Sequence, residues 1–134
     1  MKSCIQLEYT DAQRILASCI DSANSLGVAA SIAILDASGH FMALARMDGA
    51  SFQTPEVARG KALTSAMMKK PSGVIETATQ ARITMVTFSD GRIPVQGAVP
   101  IFSQGQCVGA VGVSGGTPDQ DEIIAKAGAD CLMA

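Results

Sequence analysis

The sequence contains few charged and few aromatic side chains, and it has a single histidine. Of its 134 residues, 16% are charged and 4% are aromatic, there is no tryptophan, and the formal net charge is −2. The chain therefore has neither the basic field that attracts nucleic acid nor the aromatic surface on which bases stack. Soluble domains carry about 25% charged residues, so this deficit predicts that other subunits cover part of the surface.

The sequence also lacks three further signals: a membrane-spanning segment, a signal peptide and closely paired cysteines. No window approaches the roughly 18 consecutive apolar residues that a membrane-spanning helix needs. Residues 1–10 lack the apolar run of a signal peptide. None of the cysteines belongs to a C-x-x-C pair, which argues against a zinc or thioredoxin-like site. We therefore expect a cytoplasmic protein with reduced thiols, no metal centre and no membrane partner.

Apolar residues are what the sequence has in abundance. They make up 48% of the chain, and the mean hydropathy is +0.28. Such a composition argues against intrinsic disorder. A chain of this length buries enough apolar surface to fold as one unit, so residues 1–134 are predicted to form a single domain.

Helix starts and stops are well marked along the chain. Thr10, with Gln13 in the capping-box position, predicts the start of a first helix, and Gly27 predicts its end. Thr54 followed by Pro55 predicts a second helix start. The same cap pattern predicts a last helix from Thr117, and Ser72 caps a short helix through Thr79.

Strands are predicted as two hairpins, each followed by a helix. Residues 36–39 and 103–106 supply the turn chemistry of these hairpins. Residues 80–95 stay open between a strand, a lid and an interface arm. The four predicted strands are 28–35, 40–47, 98–102 and 107–113. This pattern is typical of an α+β layered domain.

The strongest local feature for chemistry is a glycine turn between the last strand and the last helix. Ser114, Gly115, Gly116 and Thr117 form this turn, and its free backbone N–H groups can hold a carboxylate or phosphate. The alternative is a tight strand-to-helix turn without a ligand.

Two cations stand out as candidates for contact with an anionic ligand. Arg46 ends the first hairpin, where its guanidinium can bind a carboxylate through two hydrogen bonds, and Asp48 follows it. The alternative is a surface pair between these two side chains. Lys61 lies among small residues and can reach into a cleft, unless it belongs to a solvated helix face.

The single histidine and the methionines are weaker candidates. His40 begins a strand after a turn, where a structural role is favoured over a ligand or base. Methionine sulfur can ligate haem iron, but core packing is favoured for each of these residues. The methionines concerned are Met42, Met47, Met67 and Met68.

Six motifs together resemble the GlcG/HbpS family of haem-degrading or haem-binding HbpS-like domains. That family is similar to the C-terminal domain of PduO-type corrinoid adenosyltransferases. The likeness covers residues 8–133, and the motifs occur in the right order. They are ILDASGHF (34–41), RMDGA (46–50), ARGKALT (58–64), GAVPI (97–101), GAVGVSGG (109–116) and QDE (120–122).

The resemblance implies a profilin-like fold with three α/β/α layers and a five-stranded antiparallel sheet. It also implies assembly from dimers up to octamers, and haem or a corrinoid as ligand. Relatives that bind haem can use a histidine in the first helix, but residues 11–26 contain none here. A tetrapyrrole would therefore be held through its carboxylate groups.

Three hypotheses for function follow. In the first, the chain binds a small anionic ligand, and Asp121 holds Lys61 in position. In the second, the chain is an enzyme for a small carboxylated metabolite, with Lys61 and Asp121 as an acid/base pair and Arg46 orienting the substrate. In the third, it is a structural oligomer whose motif glycines serve turns and subunit contacts only.

Overall fold

A computed structural model describes residues 1–133 of the chain. The fold is α+β, with four α-helices packed on one antiparallel sheet. One short 3-10 helix, Ile83–Thr87, lies between the third helix and the third strand. The elements are α1 (Tyr9–Leu26), β1 (Ser31–Asp36), β2 (Phe41–Arg46), α2 (Thr54–Met68), α3 (Ser72–Ala81), β3 (Ala98–Ser103), β4 (Gln106–Ser114) and α4 (Pro118–Asp130).

The sheet is built from the two predicted hairpins. Its strand order is β2-β1-β4-β3, so β1 and β4 are central and β2 and β3 form the edges. All three neighbouring pairs are antiparallel. Ser31 lies opposite both Arg46 and Ser114, so the start of β1 and the ends of β2 and β4 share one end of the sheet.

The prediction of a five-stranded sheet is wrong, because the described chain forms four strands. The segment between α3 and β3 supplied the candidate for a fifth strand. Its first part turns into the 3-10 helix, and in the second part the N–H of Ile93 donates to the carbonyl of Gly60 at 2.9 Å. The Ile93 N–H is therefore bonded to α2 rather than to a neighbouring strand.

Helices cover both faces of the sheet and give the molecule its three layers. On one face α1 and α4 pack over Ile32, Ile34 and their neighbours, and on the other α2 packs over Ala33 and Leu35. Burial on both sides explains why β1 is apolar almost throughout. Gly112 lets α2 lie close on the sheet, because a Cβ there would overlap the carbonyl oxygen of Ala58.

Three of the predicted helix caps differ from those in the structure, and one of them is Ser72, which is the first residue of α3 with Pro71 before it. The cap of α1 is Glu8, in a reciprocal capping box with Asp11, and not Thr10. Thr54 is the first residue of α2 instead of its cap, and its hydroxyl bonds Ser31 Oγ at 2.8 Å. Since Thr54 is buried, tertiary contact takes the hydroxyl that a cap would use. Thr117 caps α4 as predicted.

Candidate functional site

A buried ion pair joins α2 to α4. Lys61 Nζ lies 3.0 Å from Asp121 Oδ2, and both side chains are almost fully buried. The same ammonium donates to the carbonyl of Val113 at 3.0 Å, near the end of β4. The alternative of a solvated helix face for Lys61 is therefore wrong. Buried charges are tolerated when they are paired and hydrogen-bonded, and this pair meets both conditions.

Asp121 also fixes the glycine turn that precedes α4. Its Oδ1 accepts from the N–H of Gly116 at 2.8 Å, while the N–H of Thr117 donates to Gln120 Oε1 at 3.0 Å. The N–H groups of Gly116 and Thr117, which were predicted to bind an anion, are thus already bonded to side chains. This geometry favours the alternative interpretation, a strand-to-helix turn that needs no ligand.

Gly97 lies against the ion pair, and sequence reasoning assigned it no role in the site. Its φ is 139°, and a Cβ there would lie 2.7 Å from Lys61 Nζ and 2.8 Å from the carbonyl oxygen of Val113. Glycine is therefore required for the backbone to pass over the ammonium. The only signal in the sequence was its place at the start of the motif GAVPI.

Arg46 and Asp48 belong to a second group of residues, on the surface. The loop of residues 46–52 lines an open groove of about 550 Å³. The guanidinium of Arg46 lies 5.1 Å from the centre of the Phe52 ring, so Arg46 stacks on an aromatic side chain instead of pairing with Asp48. Phe52 is 87% exposed, and sequence reasoning missed it.

The two groups lie at the same end of the sheet but do not form one pocket wall. Arg46, Ser31 and Ser114 occupy one row across three strands, so about 10 Å of sheet separates the Arg46 and Ser114 backbones. Ser114 is buried at the end of β4, and Gly115 turns away from it with a φ of 146°. The sequence candidates are thus divided between an exposed groove and a second group in which Lys61, Ser114 and Asp121 are buried beside the glycine turn.

The histidine and methionine side chains are placed mostly as structural residues. The His40 ring is 79% exposed and lies 3.8 Å from an Asp36 oxygen. Met42 and Met67 pack against the two cores. Met47 also packs against the core, but it lines the groove as well, so it alone of these residues combines both positions.

The cysteines are free thiols with different surroundings. Burial, together with the neighbouring Cys131, raises the pKa of Cys19 to about 12. Within residues 1–133, no group of three metal-ligating side chains is found. No helix in that range has the length and hydropathy needed to cross a membrane.

Comparison with known proteins places the chain in a family. The model of the family described as haem degrading protein HbpS-like matches residues 7–130. Protein GlcG of Escherichia coli is 35% identical over 115 residues, which cover 85% of each chain.

Solved structures agree with the sequence comparison. Klebsiella pneumoniae protein ORFY superposes with a TM-score of 0.93 at 28% identity, over 99% of this chain and 95% of that one. The crystal structure of HbpS gives a TM-score of 0.93 at 27% identity, over 98% and 94% of the two chains. The resemblance found in the motifs is confirmed, and the chain belongs to the HbpS-like family.

Proposed function

We propose that this protein binds haem in the groove of residues 46–52, with a haem propionate on Arg46. The observation that carries the proposal is the pairing of a cation and an exposed aromatic ring in the open groove of about 550 Å³. The family description, which names haem, supports the choice of ligand.

The groove has the size and chemistry for part of a haem molecule. Ligand sites in proteins span roughly 300–1,000 Å³, so about 550 Å³ suits a cofactor of this class. The Phe52 ring offers an apolar face to the macrocycle, and Arg46 offers paired N–H donors to one carboxylate. Asp48 also lines the groove and repels a second carboxylate, so the other propionate is expected to point to solvent.

Fewer groove residues are suited to ligate the haem iron than to contact the rest of the haem. His40 is not among the residues that line the groove, and Met47 is the lining residue whose thioether can ligate iron. Haem would supply redox and oxygen chemistry when bound. The chain itself would hold one propionate through Arg46 and shield one face of the ring with Phe52.

A titration with hemin tests the proposal. The wild-type protein is expected to give a saturable Soret shift at micromolar hemin. Loss of a charge-assisted hydrogen bond costs about 1.5–3 kcal/mol, so Arg46→Ala should weaken binding at least about tenfold. Arg59→Ala is the matched control, because Arg59 also stacks on a phenylalanine but lies outside the groove. No shift in the wild type, or equal weakening by both variants, would refute the proposal.

Hydroxocobalamin in the same assay tests the corrinoid alternative. A corrinoid carries amide side chains in place of propionates, so it lacks the carboxylates that Arg46 would bind. We therefore expect weaker binding of the corrinoid than of hemin. Tighter binding, with the same dependence on Arg46, would make a corrinoid the preferred ligand.

The burial and closeness of Lys61 and Asp121 favour an enzyme as the second candidate function. The acid/base hypothesis requires a lysine and a carboxylate in contact away from water, and Lys61 and Asp121 have that arrangement. A thermal-shift screen of small carboxylic acids would identify a substrate class. Lys61→Met should then abolish turnover while binding persists. Equal loss of both would assign Lys61 to binding or structure.

A further inference from the structure

Two of the free thiols line a single cleft, at the end of the sheet where the hairpin turns lie. Cys4 belongs to the segment that precedes α1, and Cys107 is the second residue of β4. Both border a cleft of about 410 Å³, together with residues from the two hairpin turns. Cys4 is exposed and Cys107 is half-buried, so reagents in solution can reach this pair. The cleft shares no lining residue with the groove of residues 46–52.

A hydrogen bond holds the segment of residues 1–8 against the start of β4. The N–H of Ile5 donates to Gln106 Oε1 at 3.1 Å. Cys4 and Cys107 are the direct chain neighbours of these two bonded residues. A disulfide needs Cα atoms within about 7 Å of each other. Residues 1–8 form no helix or strand, so Cys4 can make the final approach to Cys107 without breaking either.

The charges in the cleft are all positive. Lys2 and Lys69 line it, and no carboxylate is among the residues that do. Within residues 1–133, neither lysine forms an ion pair. A concave surface of one charge sign raises the local concentration of small ions of the opposite sign. Reactive cysteines are typically found in such electropositive, partly exposed surroundings.

We propose that this cleft is a site of thiol–disulfide exchange, where a small disulfide that carries carboxylates oxidises Cys4 and Cys107 to an internal disulfide. The Cys4 thiolate attacks one sulfur of the small disulfide, whose S–S bond breaks and releases one small thiolate. The Cys107 thiolate then attacks the Cys4 sulfur and releases the second. The two protein thiols lose their protons to solvent and two electrons to the small disulfide, which is reduced to two thiols.

The other two cysteines are poorly suited to this exchange. Cys19 is completely buried in the core, and burial raises its pKa to about 12, so a disulfide in solution neither reaches it nor meets a thiolate. Cys131 is half-buried but lies outside the cleft. A bond between Cys4 and Cys107 would tie the segment before α1 to β4 in a reversible way, as is typical of disulfides in reducing compartments. The proposal does not depend on haem.

Reaction of the full chain with glutathione disulfide, an anionic small disulfide, tests the site. The remaining thiols are alkylated after unfolding, and peptide mass spectrometry identifies the bonds. The wild type should give a Cys4–Cys107 disulfide and retain no glutathione. Cys107→Ser should stop at glutathione bound to Cys4, because the second step has lost its nucleophile. Cys131→Ser is the matched control and should give the wild-type product.

The role of charge is tested by the rate of the first step. Lys69→Gln should slow the reaction with glutathione disulfide about two- to fivefold at low ionic strength, the size of an exposed ion-pair contribution. Lys70→Gln is the control, because Lys70 is also exposed at the end of α2 but does not line the cleft. Hydroxyethyl disulfide is uncharged, so it should react equally fast with the wild type and both variants.

Several results would overturn the proposal. One is a wild type that keeps glutathione on Cys4, or that forms only disulfide-linked pairs of chains. Another is an internal disulfide that includes Cys19 or Cys131. Equal slowing by Lys69→Gln and Lys70→Gln, or none by either, would show that the cleft does not recruit the anionic disulfide.

Discussion

Removing one partner of the Lys61–Asp121 pair should destabilise the protein far more than removing both. Asp121→Leu leaves the ammonium of Lys61 buried with the Val113 carbonyl as its one remaining partner in the network. Breaking a buried pair in this way costs about 3–5 kcal/mol, whereas replacing both charges by apolar side chains is often close to neutral. The double variant Lys61→Met/Asp121→Leu is therefore expected to be more stable than Asp121→Leu.

The effect is large enough to measure by thermal unfolding. At about 2.1 cal/mol/K per residue, 134 residues give an unfolding entropy of about 0.28 kcal/mol/K. A loss of about 3–5 kcal/mol then lowers Tm by about 11–18 °C. Lys61→Met should lose less than Asp121→Leu, because the Asp121 carboxylate keeps the N–H of Gly116.

Urea unfolding of the wild type, the two single variants and the double variant at one protein concentration gives the coupling free energy between the two side chains. The concentration must be fixed because assembly adds to apparent stability. A loss below about 1 kcal/mol for Asp121→Leu would refute the reasoning, since it would mean that water reaches the lysine. A double variant as unstable as the sum of the single ones would refute it as well.

Further predictions concern single positions. Gly97→Ala should cost more than about 2 kcal/mol in urea unfolding, because its Cβ would meet the buried ammonium, whereas Gly105→Ala has open space and should cost only about 1 kcal/mol for its positive φ. Ser72→Ala should cost about 1–3 kcal/mol, because it leaves the N–H and carbonyl at the start of β3 without partners. Cys19 should resist alkylation at pH 8 until the protein is unfolded. Because its pKa is raised from 9.0 to about 12, the unfolded state loses this proton first, and stability should fall between pH 9 and 12.

Short-range signals predicted most of the fold. Both hairpins form as expected, Gly27 ends α1 in the left-handed conformation with a φ of 68°, and Thr117 caps α4. These features depend on backbone dihedral preferences and on neighbours within four residues. The caps of α1 and α2 were misplaced because Glu8 and a buried contact of Thr54 competed with the local pattern.

Long-range packing decided the rest of the candidate site. Lys61 and Asp121 are 60 residues apart, and the sequence left open whether they meet in water or in the interior. Only the stacking of α2 and α4 against β4 places them together and removes water from them. The division of Arg46 from the glycine turn likewise depends on which strands are neighbours.

By itself, the sequence determined the element order, the family and the residues that carry charge. The tertiary structure decided that the sheet has four strands, that N–H groups of the glycine turn are bonded to Asp121 and Gln120, and that Ser72 bonds the outward backbone groups of Ala98. The physical reason is that local sequence sets backbone preferences, whereas burial and hydrogen-bond partners are set by segments far apart in the chain. Ser72 and Ala98 show this clearly, since nothing near either residue in the sequence indicates that the Ser72 hydroxyl accepts from the N–H of Ala98.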